Sequence, residues 1–462
     1  MKEKYLKTRE LLSFSSAGFG RSMIYTMMSM FLLIFYTDAA GLDPKDAGML
    51  ILIARLFDAA NDPIMGIIVD KTHTKFGKLR PYLLFSPVLI MVTTALLFYV
   101  PDADYKGRLI YAYVTYLLWG ICFTIQDVPF WGMSAVVSPL ENERTKLLST
   151  ARIFCTAGGI IPTLLVPVLR QSLGIQKGYF VAGLMFAVVG AVLSSLSFFG
   201  TVERVESDAR EKVTVKDIVS AFFKNKPLLL LILACVLGST MMMVQTAGSY
   251  IATYLIKDSG VVPPAIVMTA MTVAIGAGML IAMVLMPVLR KKLSLKAIYI
   301  SAALVGAVLH GLLYIIGYGN FYVLLVMLVL IGLPLGIFNV ITYAMVADSV
   351  DYLEYKTGKR SEGICFASQT FISKLTAGLS TYITSLVLSY VGFVQPVEVD
   401  GTSVAVLNQP GGVTDGMFFM ITIIPMIGLA LAAVPMFFND YTGAKKDKIQ
   451  SELKEKREKS NG

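Results

Sequence analysis

Two carboxylates stand four residues apart in an otherwise apolar stretch of the chain, Asp58 and Asp62 of RLFDAANDP. In an α-helix this spacing places both acids on one face, together with Arg55. Carboxylates one turn apart repel each other unless a cation or a proton lies between them. Their hard oxygens therefore predict a Na⁺ or H⁺ site at Asp58 and Asp62. In the alternative interpretation, Arg55 neutralises one acid in an interhelical salt bridge.

A second polar group lies in TYLLWGICFTIQDVPFW, where Thr124, Asp127 and Trp131 share one helical face. A carboxylate accepts two hydroxyl hydrogen bonds, and an indole packs on the apolar face of a pyranose ring. The pairing of Asp127 with Trp131 is therefore a pattern suited to sugar recognition. The alternative is a buried Asp127 bonded to a neighbouring helix, with Trp131 as packing.

Two lone cations stand in other apolar stretches, Arg152 and Lys374. A charge at bilayer depth is costly unless it is paired or hydrated. Pairing with Asp58, Asp62 or Asp127 is the default expectation, and donation to ligand hydroxyls is compatible with it. Pairing that changes with occupancy would couple two ligands.

The composition indicates where these side chains lie. Of 462 residues, 56% are hydrophobic and 15% are charged, against roughly 45–50% and about 25% in soluble domains. Such sparse charge excludes a soluble enzyme and a disordered scaffold, and predicts a polytopic membrane protein. The chain has no Walker A loop, GxSxG or HExxH motif, so we predict neither an enzyme nor an ATP-driven pump.

Twelve apolar stretches are long enough to span a bilayer. They cover roughly 11–37, 44–69, 81–101, 109–134, 147–170, 178–200, 228–256, 263–289, 297–317, 320–347, 364–392 and 416–438. The predicted fold is an all-α integral membrane protein. The first, fourth and tenth stretches contain internal polar, Gly or Pro residues, which favours helices that line a cavity.

Lys and Arg are unevenly distributed between the connecting segments. With both termini inside, the outer side holds only six of the 40 basic residues: Lys45, Lys106, Arg108, Arg170, Lys177 and Lys257. The positive-inside rule then places both termini in the cytoplasm of a multi-pass plasma-membrane protein. The same distribution explains the net charge of +9 without a nucleic-acid partner.

The longest polar connection follows the sixth stretch and divides the chain. We predict an N-terminal six-helix bundle at 1–200, a cytoplasmic linker at 201–227, a C-terminal six-helix bundle at 228–439 and a charged cytoplasmic tail at 440–462. The tail is expected to be a short helix or disordered, and to be solvated rather than regulatory.

Dense opposite charges at the inner ends of several spans predict a cytoplasmic gate of breakable ion pairs between the bundles. Its candidate members are Asp70, Arg80, Arg144, Asp348, Asp351, Glu354 and Arg360. The alternative is solvated loop charge, which contributes about 0–1 kcal/mol per exposed pair.

Three segments carry a family resemblance: RLFDAANDPIMGIIVDKTHTKFGKLRP, TYLLWGICFTIQDVPFW and MVADSVDYLEYKTG. They resemble the glycoside–pentoside–hexuronide:cation symporters of the major facilitator superfamily. The resemblance implies twelve helices in two bundles, alternating access, and cotransport of a sugar with Na⁺, Li⁺ or H⁺, without a cofactor. It implies a monomer whose partners are the sugar, the cation and the lipid bilayer.

The resemblance also assigns residues. The cation site would comprise Asp58, Asn61, Asp62 and Thr124. The sugar pocket would comprise Arg21, Ser22, Asp127, Trp131, Arg152, Gln369, Thr370 and Lys374. Two positions depart from the family pattern: Ser22 replaces an acid that follows the basic residue, and Asn339 replaces an aromatic residue.

The loss of an acid at Ser22 removes one strong hydroxyl acceptor from the pocket. We therefore expect a neutral glycoside, with a pentoside or glucoside ahead of a galactoside and a hexuronide third. Two other functions remain open, a lysophospholipid transporter of the same fold and a non-transporting membrane sugar sensor.

Overall fold

Helices of membrane-spanning length make up most of the chain. The computed structural model describes residues 5–204, 224–256, 264–357, 362–399 and 402–460. The first half contains six helices. They are α1 (Thr8–Asp38), α2 (Pro44–Lys71), α3 (Arg80–Leu97), α4 (Tyr105–Val136), α5 (Glu141–Leu173) and α6 (Ile175–Gly200).

The second half also contains six helices of this length. Its helices are α7 (Lys226–Leu255), α8 (Pro264–Lys292), α9 (Leu295–Ile316), α10 (Phe321–Thr357), α11 (Glu362–Tyr390) and α12 (Gly411–Phe437), followed by the tail helix α13 (Gly443–Ser460). Strands β1 (Val397–Val399) and β2 (Thr402–Val404) form a short antiparallel hairpin between α11 and α12.

Polar side chains fix where several of these helices begin. Asp43 accepts from the amide of Lys45 at 2.8 Å, and Asp104 accepts from the amide of Gly107 at 2.8 Å. Ser294 caps α9 in the same manner. Each bond satisfies an amide that has no partner within its helix.

Eleven helices in the described chain are apolar enough to cross a membrane. The exception among α1–α12 is α2, which is 28 residues long but carries Arg55, Asp58 and Asp62. It packs between α4 and α11, and its remaining face, with Ile64, Ile67 and Ile68, is exposed. Its polar residues thus face other helices, where a charge can be paired.

The helices form two bundles that meet along few surfaces. Within the first, α1 packs on α5 and α6, and within the second, α8 packs on α10. Between the bundles, α2 packs along α11, and α5 contacts α8. Gly278 and Gly332 let α8 and α10 approach so closely that a Cβ at either position would collide with the opposite backbone. This is the two-bundle architecture predicted from the sequence.

Two helices of the second half are interrupted. In α7, a 3₁₀ segment occupies Gly238–Met242 and a π-helical turn occupies Ile251–Leu255. In α12, Thr422 separates two helical segments. Helices α1, α4 and α10, for which the sequence predicted a cavity-lining position, run continuously through their described residues.

A buried polar cluster joins the two bundles at the end of the molecule opposite the chain termini. Asp38 of α1 accepts from Arg170 of α5 at 3.2 Å and from the Tyr254 hydroxyl of α7 at 2.5 Å. Thr37 shares a 2.7 Å hydrogen bond with Tyr250. The Asp38 carboxylate is fully buried. We call Thr37, Asp38, Arg170, Tyr250 and Tyr254 the Asp38 cluster.

At the other end, which carries the termini, several candidate gate residues bond within their own half. Arg80 donates to the Phe198 carbonyl and Arg144 to the Pro139 carbonyl, each at 3.0 Å. Asp348 pairs with Lys446, and Asp351 accepts from Gln450 at 3.3 Å. Glu354 lies half-buried on α10.

Two further candidate gate residues cannot be placed in this arrangement: the side chain of Asp70 and the whole of Arg360 lie outside the described residues. The pairing of these charges across the two halves stays a prediction for another conformation.

The charged tail is a helix that packs on the protein. Ile449 and Leu453 are buried one turn apart, and the ring of Tyr441 packs edge-on against Tyr352 of α10. The expectation of a fully solvated tail overlooked these apolar residues among the charges. Before the helix, Asp440 accepts from Lys445 at 2.6 Å, and this hydrogen bond holds the pKa of Asp440 below its usual range.

Candidate functional site

The two acids of α2 meet a lysine and a threonine from neighbouring helices. Asp62 accepts from Lys374 of α11 at 2.5 Å and from Thr124 of α4 at 3.1 Å. The Lys374 ammonium also donates to the backbone carbonyl of Asp58 at 3.2 Å. The ammonium of Lys374 thus lies among oxygens of α2. We call Asp58, Asp62, Thr124 and Lys374 the cation cluster.

Asp58 is the less satisfied of the two acids. Its side chain is 5% exposed, and its Oδ1 atom has no hydrogen-bond partner among the described residues. Gly120 of α4 faces this oxygen, and any Cβ there would collide with it. Asn61 is half-buried on the same helix. A buried carboxylate oxygen without a donor is a free ligand for a hard monovalent cation or a proton.

Arg55 turns away from the acids. Its guanidinium lies 5.6 Å from the ring centre of Tyr25, and one nitrogen contacts the sulfur of Met28 at 3.6 Å. Within the described residues it forms no ion pair with Asp58 or Asp62. The interhelical salt bridge considered as the alternative from the sequence is therefore not present in this conformation.

A second cluster lies one turn further along α4. Arg21 of α1 pairs with Asp127, and its guanidinium faces Phe123, Phe130 and Trp131 at 5.1, 5.7 and 5.4 Å. The carboxylate of Asp127 keeps 29% of its surface exposed. It can therefore accept further hydrogen bonds from a ligand while Arg21 holds it in place.

Arg152 of α5 completes this cluster, which we call the Asp127 cluster. Its guanidinium lies 4.3 Å from the ring centre of Trp131, a cation–π contact. The arginine is exposed and the indole is half-buried. Ser22, adjacent to Arg21 on α1, is also half-buried. The arrangement offers one acceptor, two planar cations and an aromatic surface, which together can bind a hydroxyl-rich ring.

Comparison with known proteins assigns the chain to a family. Residues 13–443 match the family described as MFS/sugar transport protein, where MFS denotes the major facilitator superfamily. The chain belongs to this family. The predicted membership of the glycoside–pentoside–hexuronide:cation symporters is thereby confirmed, and the protein is a multi-pass membrane sugar symporter rather than an enzyme.

Three relatives are similar to this chain over nearly their whole length. The chain is 30% identical to the uncharacterized symporter YjmB of Bacillus subtilis, over 93% of this chain and 91% of the relative. It is 27% identical to the isoprimeverose transporter of Lactiplantibacillus pentosus, over 96% and 90%. It is 25% identical to the glucuronide carrier protein homolog of Escherichia coli, over 97% and 96%.

Solved structures support the fold of the family. The nucleoside transporter NupG superimposes with a TM-score of 0.65 at 15% identity, over 94% of this chain and all of that chain. A bacterial homolog of the human lysosomal transporter Spinster, in an inward-facing and unoccupied conformation, gives 0.66 at 11% identity, over 95% and 100%. The major facilitator fold predicted from the sequence is therefore confirmed.

The structure divides the residues that family resemblance assigned to the sugar pocket. Arg21, Asp127, Trp131 and Arg152 lie together, whereas Lys374 lies in the cation cluster. Gln369 lines a cavity on the opposite face of α11, and Thr370 is exposed. Gln369 and Lys374 are five positions apart in the sequence. On a helix, this spacing turns their side chains about 140° apart.

Sequence reasoning missed the Asp38 cluster. From the sequence, Arg170 is counted only among the outer basic residues, and Asp38 carries no prediction. The available signal was an acid at the end of an apolar stretch, two positions after the aromatic Tyr36. Tyr254 gave no signal, since a tyrosine in an apolar helix is ordinary packing until its hydroxyl partner is known.

Proposed function

We propose that the protein imports a neutral glycoside together with a monovalent cation, which Asp58, Asp62 and Thr124 bind. One observation carries the proposal. Thr124 and Asp127 stand one turn apart on α4, and Thr124 bonds Asp62 of the cation cluster while Asp127 bonds Arg21. A small movement of α4 thus acts on both clusters, which is the requirement for coupling two ligands.

In this mechanism, Lys374 and the incoming cation exchange places on Asp62. An incoming cation binds the freed oxygens of Asp58 and Asp62 and releases the ammonium from Asp62. Because Lys374 belongs to α11 and its partners to α2, this exchange changes a contact between the two halves. Cation binding therefore alters the balance between conformations through differential contacts, as population shift requires.

The direction of transport follows from orientation. The bias of Lys and Arg supports a cytoplasmic location for the end that carries the termini. The Asp38 cluster bonds the two halves at the opposite end, whereas several candidate gate residues at the end with the termini bond within their own half, which supports a conformation open toward the cytoplasm. We infer a plasma-membrane importer that releases substrate from this state.

The charge of the Asp127 cluster favours a neutral sugar. Arg21 is neutralised by Asp127, and Ser22 adds a hydroxyl rather than a second acid. A hexuronide is the second candidate, because Arg152 forms no ion pair among the described residues and stacks on Trp131 instead. The names of the isoprimeverose and glucuronide relatives cover both classes.

The test is ligand binding to purified protein in NaCl, LiCl and choline chloride at two pH values. The panel contains isoprimeverose, xylobiose, cellobiose, melibiose and a phenyl glucuronide. We expect one neutral glycoside to raise the unfolding temperature, and Na⁺ or Li⁺, or acid pH for H⁺, to increase its affinity. Absence of sugar binding would reject the function, and binding that is independent of cation and pH would favour a sensor.

A further inference from the structure

The connection between α11 and α12 lies at the outer end of the molecule, opposite the chain termini, beside the Asp38 cluster. We call residues 393–399 and 402–410 the outer strap, which contains the β1–β2 hairpin. The chain leaves α11 through Gly392, whose φ of +73° turns it, and the Phe393 amide then bonds back to the Leu388 carbonyl at 3.0 Å. The strap therefore starts in a direction that the end of the helix fixes.

One glutamine holds the two ends of the outer strap together. The Gln409 side chain accepts from the Val394 amide at 2.9 Å, and it donates to the carbonyls of Val394 and Val406 at 2.7 and 2.8 Å. Gln409 is only 8% exposed, so water competes little for these bonds. Since its own side chains tie the ends of the loop together, the strap is a compact unit. We therefore treat it as moving with the second half, to which both of its ends are joined.

The start of the outer strap packs on the Asp38 cluster. The ring of Phe393 meets Tyr250 and Tyr254 edge-on, with ring centres 5.6 and 5.1 Å apart. These two tyrosines bond Thr37 and Asp38 of the first half. An edge-on arrangement is favourable for aromatic rings, so the buried Phe393 restrains the side chains that join the two halves.

Further along, the outer strap itself reaches the first half. The Gln395 side-chain amide donates to the Leu42 carbonyl, in the turn between α1 and α2, at 2.7 Å, and β2 lies beside α6. Another carbonyl of the same turn, that of Ala39, accepts from the side chain of Gln176 of α6 at 3.1 Å. The turn is thus held within the first half by Gln176, and Gln395 bonds it across to the second half.

We propose that the outer strap is a lid that holds the outer end shut, and that the Gln395 bond breaks before this end can open. The strap belongs to the second half and the α1–α2 turn to the first, so separation of the halves at this end pulls the bond apart. A contact made only in the closed state shifts the balance between conformations toward that state. The lid thereby sets how often the outer end opens, whichever sugar or cation is carried.

The test measures how often the outer end opens. Met30→Cys, on α1 eight positions before Asp38, is alkylated from outside with a membrane-impermeant maleimide in a background without the native cysteines. In Gln395→Ala we expect the alkylation rate to rise roughly two- to tenfold, the effect of one lost hydrogen bond between uncharged groups. Gln395→Glu has nearly the same shape, but its carboxylate cannot donate to the Leu42 carbonyl. It should raise the rate at least as much.

Gln176→Ala is the matched control, because it removes the same kind of bond to the same turn within the first half. We expect its alkylation rate to equal that of the wild type, and all three variants to keep the wild-type unfolding temperature. Unchanged rates in both Gln395 variants, or an equal increase in Gln176→Ala, would overturn the lid. An increase that follows a lowered unfolding temperature would overturn it as well, since local unfolding would then expose the cysteine.

Discussion

Single side chains in the cation cluster compete for the same oxygens. Lys374 occupies Asp62 and leaves one oxygen of Asp58 without a partner. A buried carboxylate oxygen without a bonded donor retains affinity for a positive charge, even with Arg55 and Lys374 nearby. We therefore expect the residues of the cluster to exchange partners rather than to form a permanent salt bridge.

We expect Asp58→Asn and Asp62→Asn each to abolish accumulation of substrate against a gradient. Either change removes a negative charge that the cation needs, while the Asp127 cluster stays intact. Uptake into proteoliposomes with an imposed cation gradient is the measurement, with equilibrium sugar binding as the second readout.

Asp46→Asn is the matched control for these variants. Asp46 lies on the same helix but bonds the Tyr105 hydroxyl at 2.5 Å near the end of α2. The Asp46→Asn variant should retain accumulation of substrate against a gradient. Normal accumulation in both Asp58→Asn and Asp62→Asn would show that the cation binds elsewhere.

We expect Asp127→Asn to weaken sugar binding at least a hundredfold while cation binding persists. Two charge-assisted hydrogen bonds of about 1.5–3 kcal/mol each contribute roughly 3 kcal/mol or more, which is a hundredfold in affinity. The variant also leaves Arg21 without its counter-ion. Titration calorimetry with sugar, and a cation-dependent shift of the unfolding temperature, measure the two effects separately. An unchanged sugar affinity would make Asp127 a structural residue.

Helical spacing was sufficient to predict where most of these side chains lie, but not where the Arg55 side chain lies. Helical spacing placed Asp58 and Asp62 on one face because short side chains lie close to the face that their positions define. It was the family resemblance that placed Thr124 of another helix with them. Arg55 shares that face, yet its long side chain turns toward Tyr25 and Met28 of α1. Where a long flexible side chain ends depends on partners from other helices, which helical spacing does not contain.

Among the elements, α7 carries most of the irregular geometry in the described chain. Its predicted bounds of 228–256 agree with the observed Lys226–Leu255. Its 3₁₀ and π segments were not predicted, because VLGSTMMMVQT has no proline and only one glycine. The break depends on packing against α11 and α12, a tertiary effect that local propensity does not encode.

The π-helical turn of α7 positions Tyr254 in the Asp38 cluster, where it crosses between the halves. We expect Tyr254→Phe to destabilise the inward-open state by about 1.5–3 kcal/mol, the usual contribution of a hydrogen bond to a charged group. The ratio of conformations should then shift roughly ten- to a hundredfold. Met30→Cys, next to α7, reports the change through alkylation from outside in a background without the native cysteines.

Tyr179→Phe provides the control for the Tyr254 variant. The Tyr179 ring lies under Arg170, but its buried hydroxyl has no partner among the described residues. Loss of that hydroxyl should leave the alkylation rate of Met30→Cys unchanged. Equal rates in Tyr254→Phe and the wild type would exclude the Asp38 cluster as a determinant of closure.

At the scale of the molecule, the interface between the two bundles is polar and buried at one end. The 6+6 pattern and the polar linker were enough to predict the bundles. They were not enough to predict which end is closed, since alternating conformations of one sequence differ by a few kcal/mol. The candidate gate residues show this, because Asp348 bonds the tail helix here and would need another partner in the outward-open state.

We expect the sugar and the cation to increase each other's affinity by the same factor, because coupling free energy is reciprocal. The factor should lie between about five and 150. Sugar affinity with and without cation, and cation affinity with and without sugar, give two independent values. In the Asp62→Asn variant, both coupling factors should fall to one. Unequal factors in the wild type would require a second cation.

The charges around the cation cluster have a consequence for membrane voltage. With Arg55, Asp58, Asp62 and Lys374 all ionised, their charges cancel where α2 meets α11. The empty cluster then contributes no net charge to reorientation, whereas the loaded cluster contributes the charge of its cation. A potential of 100 mV acts on one elementary charge with about 2.3 kcal/mol. We therefore expect an interior-negative membrane to pull the loaded cluster inward and to leave the empty cluster unaffected, which adds roughly fiftyfold to sugar accumulation for each 100 mV when one cation accompanies each sugar.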